Sequence, residues 1–349
     1  MCRRNESVNL SNSRYVGVDL GTANTLVFTA NGGIIVREPS VVAFEKSTSR
    51  ILAVGNEAKR MIGKTTSSLK AVSPLRDGVI ADFEFCAEML CEFLKKSTGF
   101  LPGLRPKVIV CVPYGITEVE KRAVLDSVIE AGAGSVYTFD EPICAALGAE
   151  LPVMAPKGSM IVDIGAGTTE IAVISHGGIV TSSSVKIAGN HFDNAIISYI
   201  KQEFNVLIGE ASAEDIKIKI GSAHPSTDIG AIEVKGRSIT NGKAAEFTLY
   251  SSEVREAIAE PLSSLFEAIR SVLDSTPPEL CADIYDSGIT LSGGGALLGG
   301  LSFYIHEKSK LQIKVAQKPL DCVINGIGKL IADPSLRHSI ESIVLHSEI

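Results

Sequence analysis

The amino-acid sequence predicts an α/β protein assembled by duplication, in which each half sets a short meander of strands against helices. Three observations carry that expectation. Residues 18–28 read VDLGTANTLVF and residues 162–174 read VDIGAGTTEIAVI. Each is an apolar strand ending in aspartate, a tip of glycine and small residues, and a second apolar strand. NGGIIV at 31–36 and HGGIVT at 176–181 then follow at nearly the same spacing, so the repeated unit is strand, glycine loop, strand, Gly-Gly turn, strand. Both meanders run on into segments whose apolar residues recur three and four apart, the spacing of one helix face.

In chain order, RPKVIVCVP (105–113) reads as a buried strand, and Thr117 with Glu120 forms a capping box that opens a helix over 118–133. SVYTFDEPICAALGAELP (135–152) predicts a short strand, a turn at Asp140 and a helix with Pro142 near its first position. In the second half, Phe192, Ile196, Ile200 and Phe204 make one apolar stripe on a helix over 190–204, and residues 251–275 form a helix bent at Pro261. Residues 287–310 read as strand, triple glycine, helix. The expected boundaries are 14–145 for the first half, with a small subdomain inserted at about 34–73; 146–333 for the second, with one at about 183–249; and a tail over 334–349.

With 349 residues, 45% of them hydrophobic, the chain can bury two separate cores. Its 33 basic and 40 acidic residues leave a net charge of −7 and no long basic run, which excludes a nucleic-acid footprint or polybasic membrane patch. Cys2, Cys86, Cys91, Cys111, Cys144, Cys281 and Cys322 are scattered without CxxC spacing, as expected for reduced thiols in a cytosol. The first fourteen residues, MCRRNESVNLSNSR, hold no apolar stretch after their arginines, and no window reaches 18 consecutive apolar residues, so neither a secretion signal nor a membrane span is expected. The histidines form no HxxxH or HxH pair and no GxSxG is present, which sets aside a zinc site and a covalent hydrolase.

The chemistry of interest lies in the two glycine tips. Successive backbone N–H groups without side chains in the way can wrap an anion, which makes DLGTANT and DIGAGTT candidate phosphate cradles. A bare hairpin tip has no need of an aspartate at the end of its incoming strand, where an unpaired carboxylate is costly. A magnesium phosphate site does need one, because Mg²⁺ keeps several waters and takes carboxylates that orient them. A GxxxxGK[ST] P-loop is absent, and neither tip opens directly into a helix as the dinucleotide fingerprint requires. SGGGAL (292–297) has two readings: close packing of a helix on a strand, or a flat backbone surface for a base or ribose. Glu141 likewise either favours a helix N-terminus or orients the water that attacks a γ-phosphate.

Paired DxGT-type loops on a duplicated core, with a glycine-rich loop near the end, resemble the actin superfamily. Within it the chain is similar to the MreB/Mbl family of bacterial actins over roughly 14–330, through EPSVVAF, VSPLRDGVIADF, VCVPYGITEVEKRAV, DEPICAALGAELPV, IGEASAEDIKIKIGSA and ITLSGGGALLGGL. The resemblance implies an actin-like fold of two ribonuclease-H-like halves with a nucleotide cleft. It also implies ATP/ADP and Mg²⁺ as cofactors and weak ATPase activity coupled to filament dynamics. By the same resemblance Thr22, Ala23 and Asn24 belong to the first phosphate loop and Gly165, Gly167, Thr168 and Thr169 to the second. Glu214, Asp215, Ile216 and Lys217 face the ribose and adenine, with Gly294, Gly295, Ala296 and Leu297 on the other side. Asp19 and Asp163 hold Mg²⁺ through water, and Glu141, Thr168 and Asp163 make the catalytic set. Three positions depart from the family pattern: Ala166 where glycine is usual, Asp140 where glutamate is, and Asn190 where aspartate is common. The Ala166 methyl is tolerable at a negative φ and awkward at a positive one.

For partners, the resemblance implies a homopolymer of paired protofilaments, the inner face of the cytoplasmic membrane, and cell-shape and wall-elongation proteins of the MreC and RodZ type. The role it implies is cell-shape determination and the spatial organisation of peptidoglycan synthesis. STGFLPGLRP (97–106) places Phe100 and Leu101 between glycine and proline with basic residues beside them, a candidate membrane loop whose alternative is a satellite core. A nucleotide-gated scaffold without hydrolysis, and a monomeric phosphotransferase of the same fold, are the competing functions.

Overall fold

The computed structural model describes residues 15–63, 67–98 and 105–347. Two compact units emerge: residues up to Gly148 together with those from Val323 onward, and Ala149–Cys322. Phe100 and Leu101 lie outside the described residues. Among those described, no helix is long and apolar enough to cross a membrane.

The first unit opens with β1 (Tyr15–Leu20), β2 (Asn24–Thr29) and β3 (Gly33–Pro39). After α1 (Phe83–Thr98) come β4 (Lys107–Val112), α2 (Glu118–Glu130), β5 (Ser135–Asp140) and α3 (Glu141–Gly148). The five strands form one sheet in the order β5-β4-β1-β2-β3, parallel from β5 to β1 and antiparallel through the meander. β4, KVIVCV, is buried at every residue after the first, because a parallel strand covered on both faces must be apolar throughout. The inserted subdomain is a three-stranded sheet with Val42–Glu45 between Ile51–Val54 and Leu69–Val72. It begins after β3, since residues 33–39 still pair with β2.

The second unit repeats the plan. Its meander is β6 (Ser159–Ile164), β7 (Thr169–Ser175) and β8 (Gly178–Val185). α4 (Gly189–Glu203), α5 (Glu210–Ile220), α6 (Ser251–Ala257), α7 (Ala259–Asp274) and α8 (Pro278–Ser287) precede β9 (Ile289–Ser292), which is followed by α9 (Leu301–Ser309) and β10 (Ile313–Val315). The sheet order β10-β9-β6-β7-β8, with the same parallel and antiparallel senses, matches the first. The insert contributes a second small sheet of Val206–Leu207, Ala231–Ser238 and Ala244–Tyr250. α4 buries Phe192, Ile196 and Ile200 in the same core as Val162, Ile171 and Leu291, while Phe204, half-buried, stacks on Phe247.

Local signals behave as their chemistry dictates, with three corrections. The capping box at α2 is present in both directions. At Asp140 there is no turn: β5 runs straight into α3, with Asp140 still paired to Val112. Residues 251–275 are two helices that break at Ile258, not a helix bent at Pro261. Proline lacks an N–H and crowds the carbonyl four residues back, so the break falls ahead of it and Pro261 sits in the first turn of α7, where no donor is required.

The third correction concerns the chain's return. α10 (Cys322–Ala332) and α11 (Pro334–Ser347) follow β10, and residues 323–333, expected in the second half, pack in the first unit. Gly326 lies so close to α3 that a Cβ there would run into the Cys144 carbonyl. Lys329 Nζ donates to the Leu147 carbonyl at 2.8 Å, and Ile327 packs on Gly17 of β1. Residues 334–347 of the expected tail form a helix, with the Arg337 guanidinium 4.3 Å from the centre of the Tyr15 ring.

Candidate functional site

The expected site residues fall in both units. In the first, Gly21 leaves β1 under a backbone carbonyl: a Cβ there would stand 2.7 Å from Asn24 O. The duplicate position behaves alike, with a Cβ on Gly165 at 3.1 Å from Thr168 O, and Gly165 N donates to that carbonyl at 2.9 Å. Neither glycine has a positive φ, so both are there for close approach of backbone to backbone.

The first loop is held by residues far away in sequence. Ser40 Oγ donates to Gly21 O at 2.6 Å and shares a 2.8 Å hydrogen bond with the buried Thr25 hydroxyl. Ser40 N reaches Ala23 O at 2.9 Å, Ser73 Oγ donates to Thr22 O, and Gly78 N donates to Thr22 Oγ1 at 3.1 Å. Thr22 and Ala23 are half-buried and Asn24 is exposed. Asp19 and Glu141 lie close enough to Cys111 that their charges raise its thiol pKa. Burial is the larger cause there, followed by the Cys144 thiol. These two carboxylates therefore occupy the same end of the first sheet, one at the close of β1 and one at the head of α3. None of the six described cysteines is in a disulfide, and Cys86, Cys111, Cys144 and Cys322 are buried; burial pushes Cys86 up to about 12.

The second loop is anchored at its far side. Gly189 N donates to Gly165 O at 3.1 Å and Asn190 N to Ala166 O at 2.8 Å. Ala166 has no positive φ, so its methyl is accommodated. Thr168 is half-buried at the loop's end. Thr169 is fully buried and its hydroxyl donates to Ile187 O at 2.6 Å, so it secures the loop from beneath. Lys217 Nζ bonds Gly189 O at 2.9 Å and stands 2.9 Å from the Asp193 carboxylate. Its ammonium thus reaches the loop through Gly189.

The stretch 214–217 does not act as one surface. Ile216 is in the core and Asp215 is exposed and paired with Lys219. Glu214 and Lys217, three apart on one helical face, are half-buried, and the charges of both act on Asp193. In the triple glycine, Gly293 and Gly295 pack so tightly on Ile164 that neither admits a Cβ, which is the helix-on-strand reading. Ala296 is buried, whereas Gly294 and Leu297 are exposed.

Asp163 ends up at the centre of the second sheet, 4% exposed, with Oδ1 buried and without a hydrogen bond. Burial raises its pKa from 3.8 to about 6, and Ser292 offsets part of that. Cross-strand register sets a polar row on one face: Ser292 beside Asp163, Asp163 opposite Glu170, and Glu170 opposite Ser184. Ser184 Oγ donates to Glu170 Oε1 at 2.5 Å. The first copy has Leu26 where the second has Glu170. Among the described residues no group of three or more His, Cys, Asp or Glu could hold a metal directly. An orphaned, buried carboxylate oxygen fits a hydrated Mg²⁺, whose bound water would donate to it.

Sequence reading missed Ser40, Ser73, Gly78, Asp193, Glu170 and Ser292. Ser73 and Gly78 stand within the VSPLRDGVIADF stretch and Asp193 within AGNHFD, where a family pattern was visible without its physical purpose. Ser292 opens SGGGAL, where the glycines and not the hydroxyl drew the reading.

The family model described as MreB/Mbl protein matches residues 13–338. The cell shape-determining protein Mbl of Bacillus subtilis (strain 168) is 46% identical over 321 residues, covering 91% of this chain and 96% of that protein. The cell shape-determining protein MreB of Escherichia coli (strain K12) is 47% identical over 325 residues, covering 91% and 93%. Among solved structures, MreB5 of Spiroplasma citri bound to ADP superposes with a TM-score of 0.88 at 37% identity, over 95% of this chain and 99% of that one. The same protein bound to AMPPNP gives 0.87, with 94% and 98% covered.

Proposed function

The chain belongs to the MreB/Mbl family, with its actin-like fold, and from that premise we propose that it is an ATP-dependent, filament-forming cytoskeletal protein. Its role is to act in cell-shape determination from the inner face of the cell membrane and to organise peptidoglycan synthesis there. The observation that carries the reading is the duplicated aspartate-glycine loop, whose second copy holds a buried carboxylate oxygen with nothing to bond. That geometry suits a bound nucleotide with a hydrated magnesium ion, and a relative of 37% identity has been solved with ADP and with AMPPNP.

In this reading Thr22, Ala23 and Asn24 contribute backbone N–H groups to the phosphates, as do Gly165, Gly167 and Thr168. Thr169, Ser40 and Lys217 hold those loops in shape. Asp19 and Asp163 orient the waters of Mg²⁺, which when bound supplies charge neutralisation on the phosphates. Glu141 and Thr168 orient the attacking water, and Glu214 meets the ribose, with Gly294 and Leu297 as exposed backbone and side chain for the base. Phe100 and Leu101 insert into lipid, and the filament joins many such weak anchors. Paired protofilaments, together with MreC-type and RodZ-type membrane proteins, are the proposed partners.

Electron microscopy of the full chain with ATP, Mg²⁺ and anionic lipid, alongside phosphate release, tests the proposal. Lipid-bound filaments with slow release support it. Filaments without release would make the protein a nucleotide-gated scaffold, and monomers that phosphorylate a small molecule would overturn the cytoskeletal reading.

A further inference from the structure

Ser292 is the last residue of β9 and fully buried, and its Oγ has no well-formed hydrogen bond, although it stands near enough to the Asp163 carboxyl to act on it. An orphan hydroxyl at such depth costs about 1–3 kcal/mol, and buried polar atoms without partners are few in folded proteins. The strand around it, Ile-Thr-Leu, would accept an alanine or valine there at no cost in hydrogen bonding. A second orphan lies beside it. Asp163 pairs with Ser292 in the parallel ladder, so the two side chains rise from the same face, and Asp163 Oδ1 is the other buried atom of this row without a bond.

The rest of the row decides which neighbour can serve Asp163. Glu170, opposite Asp163 on its other flank and 2% exposed, is a carboxylate with its Oε1 bonded to the Ser184 hydroxyl. Glu170 is thus engaged toward Ser184 on the far side of the row. Ser292 has a proton to give, and a rotation about its Cα–Cβ bond changes where that proton points.

We propose that Ser292 is a positioning residue for Asp163: its hydroxyl donates to one carboxylate oxygen and so fixes the direction in which the other accepts from a metal-bound water. The inference rests on the reading of Asp163 given above and adds to it a residue that acts on the metal only through that carboxylate. Both orphan atoms are then satisfied in the nucleotide-bound state, one by the other and one by the hydrate. Partners of residues that bind a metal directly change its affinity by about 10- to 100-fold; Asp163 reaches the metal through water, so the effect of Ser292 lies at or below the lower end of that range.

The test uses the full chain with ADP and the variants Ser292→Thr and Ser292→Val, which share a shape and differ in the hydroxyl. Mn²⁺ affinity is read by electron paramagnetic resonance, and ADP affinity is measured in chelator. The expected result is a rise of up to about 10-fold, and clearly beyond twofold, in the Mn²⁺ dissociation constant for valine, a value within about twofold of the parent for threonine, and unchanged metal-free ADP affinity in both. Ser292→Ala, which lacks the hydroxyl without adding bulk, must follow valine. Equal metal affinity in all three variants and the parent overturns the inference, as does equal weakening in threonine and valine, which would report shape alone. Asp163→Ala in the same assay separates the two levels. If it loses metal affinity while Ser292→Val keeps it, only the role of Ser292 fails; if it binds metal like the parent, the assignment of Asp163 fails as well.

Discussion

Replacing Asp163 by asparagine should make the nucleotide-free protein more stable at neutral pH. A carboxyl ordinarily at 3.8 and held at about 6 by burial carries a penalty of about 3 kcal/mol when ionised, at 1.36 kcal/mol per pH unit. The sign follows from proton binding. Above about pH 6 the carboxyl is ionised both folded and unfolded, so the whole penalty is present. As the pH falls from about 6 to 3.8 the folded state takes up the proton first, and stability is recovered. Asparagine keeps the shape and removes the charge. Melting of the metal-free, nucleotide-free protein should therefore shift up by about 6–12 °C at pH 7.5, taking 2–4 °C per kcal/mol for a unit of this size. The gap between the two proteins should close as the pH approaches 4. An asparagine variant no more stable than its parent at pH 7.5, or a gap that does not change with pH, would refute the reasoning. The same variant should lose the Mg²⁺ dependence of nucleotide binding, so that stability and function move in opposite directions.

Ala166→Gly should leave phosphate release within about twofold and lower stability by about 0.5–1 kcal/mol, because the alanine has no positive φ to relieve; single-turnover release and thermal melting measure the two. Lys217→Met strands the buried Asp193 carboxylate and should cost about 3 kcal/mol, most of it restored by adding Asp193→Asn in a double-mutant cycle read by denaturant unfolding. Phe100→Ser with Leu101→Ser should abolish co-sedimentation with anionic liposomes while ATP binding persists. Each side chain would bury about 1.5–3 kcal/mol in lipid, and only the many subunits of a filament make that anchor firm.

The duplicated meander was legible because both copies are local: an apolar strand, a glycine tip and a Gly-Gly turn can be seen within twenty residues. The phosphate loops and their aspartates came with it. Their supports did not, since Ser40, Ser73 and Gly78 reach Gly21 and Thr22 across many residues and have no periodicity to announce them. The pairing of Asp163 with Ser292 depends on a parallel register between distant strands, which no short pattern encodes. Leu26 against Glu170 was readable in the alignment of the two copies, yet its meaning required knowing that position 170 faces Asp163. Ile216 illustrates the reverse error: a contiguous motif at helical spacing cannot turn all four of its residues to one ligand.

The close fit of Gly326 against α3 also bears on how the protein is made. The first unit lacks α10 until everything up to residue 322 has been synthesised, and without that helix the sheet face at Gly17 and the carbonyls of Cys144 and Leu147 have no cover. Residues 149–322, by contrast, are one uninterrupted stretch. A nascent chain normally folds its N-terminal domain first; here the later-translated unit is the first to have all its parts, and the earlier one must wait, partly uncovered, for the last helices to emerge.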